Sequence, residues 1–446
     1  MKLEPENEEL TTMLNRIVLA LVFTLSFLGF MAQELTLTFQ LLPLILFAVL
    51  VFFKVLCSDS VLKAVGSLFD LDGLLFVFFL SAFIVGPSLV SNYEKSPVFS
   101  LFLCLCLILA RLYMAVVPIP EVLEAFFWSG LLSIGIFVPL SFAGFMQSVA
   151  TLERFSPFSF QPNLLSFLLA GYFCVMVWKF MTGGWRLKIL TGLVGSICLV
   201  IIFFASSRAA IVAIVAGCVF IAVMEFGRAT SQQRKKFVRL GLFVTAVLLL
   251  GIVVFLQNSE RAYNAFNFFD QVLQLTNDYR GVGTGFSGRL DRWHQVMRIF
   301  SDGTFLIGKG IRYSDQSESE AIDNSYLVIP YEIGLTPLIL ITWRYFSILR
   351  TFLRAYFRTD DQGERRFYLA VGLLLVVLLV SNLAERYLFG VGNPYSLIAF
   401  LLFAAPTSQV DRCLNPFTGD LTLSKPLANW PARDFRPSYG KGITPV

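Results

Sequence analysis

Residues Asn258–Asn324 read NSERAYNAFNFFDQVLQLTNDYRGVGTGFSGRLDRWHQVMRIFSDGTFLIGKGIRYSDQSESEAIDN. This is the one long polar segment inside an otherwise apolar chain, and apolar runs of membrane-spanning length stand on both sides of it. Arg261, Arg280, Arg289, Arg292, Arg298, Lys309 and Arg312 are interleaved with Asp270, Asp278, Asp291, Asp302, Asp315, Glu318, Glu320 and Asp323. The segment also holds the chain's one histidine, His294. A run this charged is costly in hydrocarbon. It is therefore predicted to be a long loop between spans, and it is where polar chemistry is to be sought.

The flanks set the fold class. Of 446 residues, 56% are hydrophobic and 15% are charged, where a soluble domain carries nearer a quarter charged. Mean hydropathy is +0.72, the composition of a polytopic membrane protein. The 47 phenylalanines suit helices that face lipid. The net charge of +5 is small, so its distribution says more than its sum. Nothing resembles a nucleic-acid-binding domain, and no nucleic acid is expected as a partner. Cys57, Cys104, Cys106, Cys174, Cys198, Cys218 and Cys413 lie in apolar runs, at their edges or in the tail, so no disulfide is expected in the polar loop. A zinc site is implausible with one histidine and no loop cysteine. P-loop, dinucleotide and nucleophile-elbow patterns are missing from the sequence, and no cofactor is expected. The acidic N-terminus (Glu4, Glu6, Glu8, Glu9) lacks the basic start of a cleaved signal peptide, so the first span is expected to be retained.

About twelve apolar runs are long enough to be candidate spans. They are Ile17–Met31, Leu35–Leu56, Leu71–Val90, Val98–Val117, Val122–Phe142, Leu164–Met181, Ile189–Ala205, Ala209–Phe226, Leu240–Leu256, Tyr326–Leu349, Tyr368–Ala384 and Tyr395–Ala405. The predicted fold is all-α. It divides into a transmembrane region over 1–257, an extracytoplasmic loop over 258–325, a second transmembrane region over 326–408 and a disordered cytoplasmic tail over 409–446. Orientation follows from basic residues, which favour the cytoplasmic side of short loops. Arg228, Arg234, Lys235, Lys236 and Arg239 follow the eighth span. Arg350, Arg354, Arg358, Arg365 and Arg366 follow the tenth, and Lys179, Arg186 and Lys188 join the sixth to the seventh. A twelve-span topology puts all three connections and both termini on one side, and the long loop on the other.

Several charges sit where hydrocarbon would disfavour them. Arg208, in FFASSRAAIVA, opens the eighth span. It either snorkels at the interface or grips a phosphate with its planar fork of donors. Arg111 lies inside LCLILARLYMAV, with Glu121 and Glu124 as candidate partners; an ion pair and a substrate contact are equally open there. Glu332 begins the tenth span. Glu385 and Arg386 end the eleventh, where a solvated pair is expected.

Within the loop, FSGRLDRWHQVMRIF is predicted to be helical from about Ser287. Ser287 or Gly288 could cap it, and Arg289 and Trp293 would share a face with Arg292 near its edge. LIGKGIRYS forms a turn at Gly308 and Gly310. In AIDNSYLVIPYEIGL, Asp323 and Asn324 stand just before the tenth span, a pairing that also suits an ordinary helix start.

Taken in order, these segments resemble the O-antigen ligase and Wzy-type polymerase family of bacterial membrane proteins. RFSPFSFQPNLLSFLLAGYF, from Arg154, is similar to the family's arginine–proline–asparagine stretch. SSRAA is similar to its Ser-Arg motif, with Arg208. GRLDRW matches its arginine four residues before tryptophan, here Arg289 and Trp293. IGKG matches its Gly-x-Gly, and NSYL and YEIGL match its Asn-x-Tyr-Leu and Glu-x-Gly. The resemblance spans Arg154 to Leu335.

It implies a metal-independent glycosyltransferase that acts on an undecaprenyl-diphosphate-linked oligosaccharide at the outer face of the inner membrane, without a cofactor. A chain-length regulator is a further candidate partner, beside the lipid bilayer. By the resemblance, Arg208 and Arg289 would hold the diphosphate. Ligases of the family carry His-Asn where this chain has Asp323-Asn324, which makes Asp323 the candidate base, with His294 as the alternative. Arg154, Arg292, Arg312, Asn324, Trp293, His294 and Glu332 are the candidate substrate-binding residues. The departure at Asp323 favours a polymerase over a ligase. A polysaccharide transporter is the rival class, disfavoured because the charges gather in one loop and not in paired halves at the midplane.

Overall fold

The computed structural model describes residues 5–31, 37–56, 61–157, 161–235, 259–276, 293–294, 297, 303–315, 322, 324–386 and 394–407. Among them there are helices and turns and no strand. In chain order the helices are α1 (Pro5–Met31), α2 (Leu37–Leu56), α3 (Val61–Gly66), α4 (Leu71–Leu89, with a π-helical stretch at Leu74–Phe79), α5 (Ser96–Val116), α6 (Ile119–Thr151), α7 (Pro162–Thr182) and α8 (Trp185–Phe204). Then come α9 (Arg208–Arg228), α10 (Ser259–Leu273), α11 (Ser325–Ile333), α12 (Leu335–Arg358), α13 (Gln362–Ala384) and α14 (Pro394–Ala404).

Eight of the described helices are long and apolar enough to cross a membrane, and α2 and α14 contain shorter apolar stretches. All ten coincide with expected spans. A helix suits this solvent because it satisfies its own backbone. The expected ninth span, Leu240–Leu256, lies outside the described residues, as does the tail from 408 onward. The expected tenth, Tyr326–Leu349, is corrected: it is two helices broken at Gly334, whose φ is +97°. A Cβ there would come 2.6 Å from the Leu306 carbonyl oxygen, so only glycine fits both the turn and its neighbour. α12 then runs on to Arg358.

The core is aromatic and close-packed. Phe23 meets Phe126 across α1 and α6 at 5.1 Å, and Phe27 meets Phe137 at 5.9 Å. Between α9 and α13 the packing is reciprocal. Gly217 admits Leu373, and Gly372 admits Phe220; an added Cβ would lie 2.6 and 2.7 Å from those side chains. Small residues that let helices approach closely are the usual means of association where lipid is as apolar as leucine.

The bundle has two unlike ends. At one, Arg366 donates to the Met181 carbonyl at 2.5 Å, while Arg228 donates to the Tyr356 carbonyl at 2.7 Å and pairs with Asp360 at 2.9 Å. The basic residues flanking the α7–α8, α9 and α12–α13 connections therefore gather on one side, as the charge pattern requires. Buried cations lie toward this end too. Arg111, 1% exposed, pairs with Asp70 at 2.6 Å and donates to the carbonyls of Ser67 and Ala404. The expected partners Glu121 and Glu124 are thus corrected. Glu124 instead pairs with Lys179, whose ammonium lies 4.3 Å from the Trp178 ring. Arg344 bonds the carbonyls of Phe403 and Ala405, with Asp72 at 3.7 Å. Each of these charges fastens one helix to another, so none is needed to explain a substrate site.

Candidate functional site

The other end of the bundle is built around the turn that joins α8 to α9. Phe204 ends α8, Ser206 takes a left-handed φ of +55°, and Arg208 is the first residue of α9. Three residues thus reverse the chain and put a half-buried guanidinium at a helix N-terminus. Unpaired N–H groups and the helix dipole favour an anion at such a place.

The segment after α6 docks on this turn. The Phe155 N–H donates to the Phe204 carbonyl at 2.9 Å, and Arg154 Nε donates to the Ala205 carbonyl at 2.8 Å. Two arginines, Arg154 and Arg208, are thereby tied to one three-residue corner. Arg154 Nη2 also donates to Asn163 Oδ1 at 2.6 Å, and Asn163 Nδ2 donates to Glu385 Oε1 at 2.7 Å. Glu385 is 2% exposed, which corrects the expected solvated pair: its carboxylate is enclosed where α7 begins and α13 ends. An arginine, an amide and a carboxylate in series fix one another's orientation, since the amide must present oxygen to one and nitrogen to the other.

Glu385 also anchors the half-helix α11. Its carbonyl accepts the Ser325 N–H at 3.1 Å and the Ser325 hydroxyl at 2.8 Å. Asn324 Oδ1 accepts the N–H groups of Tyr326 and Leu327 at 2.9 and 3.3 Å, so this candidate binding residue is the N-cap of α11. Glu332, 6% exposed, accepts the Ser314 hydroxyl at 2.6 Å, and its own carbonyl accepts the Gly310 N–H at 2.8 Å. Arg386 donates to that same Ser314 hydroxyl at 3.3 Å.

The glycine turn expected at IGKG is present. Gly308 and Gly310 have φ of +90° and +104°, and a Cβ at Gly308 would meet the Glu332 carbonyl at 2.5 Å. Lys309 Nζ lies 5.2 and 5.0 Å from the Tyr313 and Tyr331 rings. Arg312 stacks 3.9 Å from the Phe99 ring centre. Trp293 is half-buried and His294 is exposed, both in helical conformation. Beside the turn at Arg208, α10 rests on the end of α8, with Phe268 and Phe269 at 6.3 and 5.8 Å from Phe203.

The structure thus brings Arg154 and Arg208 to one corner and sets Asn324 and Glu332 within the framework that holds this end together. Arg289, Arg292 and Asp323 lie outside the described residues. The residues that sequence reasoning missed are Glu385 and Arg386, expected only as a solvated pair, together with Ser314. The available signal for Glu385 was its setting in SNLAER, where an apolar span ends in several polar groups at once.

Among the described residues no group of three or more metal-ligating side chains occurs. The arrangement gathers cations and oriented donors, which suits an anionic group.

The family model for O-antigen ligase matches residues 193–342. That segment is similar to the O-antigen ligase family domain. It runs from within α8 to within α12, so Arg208, the glycine turn, Asn324 and Glu332 lie inside it, while Arg154, Asn163 and Glu385 brace it from outside. No curated protein matches the chain. A likeness to O-antigen ligase, set in a bundle of spans, supports glycan processing in a membrane.

Proposed function

We propose that this protein is a polysaccharide polymerase. It transfers a glycan from undecaprenyl diphosphate onto another lipid-linked repeat, at the outer face of the inner membrane. The observation that carries the reading is the corner at Arg208, with a second guanidinium, Arg154, bonded to the same turn. As the anomeric C–O bond breaks, the diphosphate keeps the electron pair and gains charge. Guanidinium groups already in place stabilise that charge without reorganising. Arg289 joins Arg208 at the diphosphate, and Asp323 takes the proton of the attacking hydroxyl. The basic end of the bundle faces the cytoplasm, which puts the corner at the outer face, within reach of a carrier anchored in the outer leaflet.

The description of the family model as O-antigen ligase favours a second reading, transfer to lipid A core. The products separate the two. Purified protein in proteoliposomes receives an undecaprenyl-diphosphate-linked repeat, with and without lipid A core. The proposal expects a ladder of chain lengths on the undecaprenyl lipid without core. Glycan found on core alone makes the protein a ligase, and no transfer to either acceptor rejects both.

A further inference from the structure

Ser207 sits at the N-cap of α9, immediately before Arg208. A serine there ordinarily turns its hydroxyl to the N–H of the second or third helical residue, which is why serine is favoured at helix starts. Ser207 makes no such bond. Its side chain is 2% exposed, and its Oγ has no hydrogen-bond partner among the described residues. A buried hydroxyl without a partner is destabilising and uncommon, and each instance calls for a reason. By contrast, Asn324 caps α11 with two N–H groups and Asp361 caps α13 through Gly363.

We infer that the Ser207 hydroxyl is a donor for the diphosphate of the lipid carrier, held beside the first-turn N–H groups of α9 and the Arg208 guanidinium. This rests on the functional reading above and assigns the diphosphate a contact which that reading does not include. The hydroxyl O–H donates to a non-bridging phosphate oxygen; no bond is made or broken at Ser207. Leaving the cap bond unmade keeps the hydroxyl for the ligand.

The full-length protein in nanodiscs, as wild type and as Ser207→Ala, tests this with undecaprenyl diphosphate as the probe. Affinity and the melting temperature without probe are both read. A hydrogen bond to an ion predicts affinity about tenfold weaker or more in the variant. Because the alanine removes an idle buried hydroxyl, its melting temperature without probe should equal or exceed that of the wild type. That opposed pair of changes separates a ligand donor from a structural group. Affinity within twofold of wild type overturns the inference, as does a melting temperature that falls together with affinity. If folded wild-type protein does not bind undecaprenyl diphosphate, the functional reading fails and takes this inference with it.

Discussion

Arg208 owes its place to its neighbours as much as to its charge. It opens a helix, and Arg154 is bonded to the carbonyl just before it. A lysine offers a point charge where a planar fork is needed. Arg208→Lys should therefore lower turnover by about a hundredfold with little change in substrate affinity, the signature of a contact made mainly in the transition state. Steady-state transfer kinetics check this, and near-normal turnover would remove Arg208 from the site. Glu385 acts at one remove, by orienting Asn163 and through it Arg154. Glu385→Gln keeps an acceptor for Asn163 and should retain most turnover. Glu385→Ala should lose about tenfold. Equal losses in both would show that the charge itself is required. Arg208 was legible in the sequence because a charge at a span boundary is conspicuous and SSRAA is short and local. Glu385 was not, because its partner Asn163 lies 222 positions away and burial arises only when α7 and α13 meet. Arg111 was misread for the same reason: nearby carboxylates looked available, while its actual partner, Asp70, comes from the start of α4.

At the scale of elements, hydropathy located the spans well, since length and apolarity are what lipid demands of a helix. It could not show the break between α11 and α12, because glycine inside an apolar run leaves hydropathy unchanged. The break lets α11 present its capped N-terminus to Glu385 while Glu332, near its other end, holds the glycine turn. Gly334→Ala would force a side chain into a left-handed conformation and against the Leu306 carbonyl. It should destabilise the protein by more than about 1 kcal/mol and loosen the 303–315 segment. A lower melting temperature with faster hydrogen exchange in that segment is the expected result; wild-type values for both would show that the break tolerates a side chain.

Across the whole molecule, the two ends divide the work. One holds buried ion pairs that clamp helices together, and the other gathers cations at the corner where Arg208 opens α9. Lys179 and Glu124, with side chains 6% and 9% exposed, test the first half. Glu124→Ala strands a buried ammonium and should cost about 3–5 kcal/mol of stability, seen as a lower melting temperature, whereas Arg208→Lys should melt as wild type does. The second half depends on which way the bundle faces, and impermeant cysteine labelling tests that most directly. Single cysteines are placed at Glu153, on the exposed segment beside Arg154, and at Ser231, exposed at the basic end, in a background with the seven native cysteines replaced. In cells with a permeabilised outer membrane and an intact inner membrane, Glu153→Cys should label fully and Ser231→Cys only after the inner membrane is lysed. Labelling of Ser231→Cys in intact cells, with Glu153→Cys protected, would put the arginine corner on the wrong side for a carrier in the outer leaflet and contradict the account.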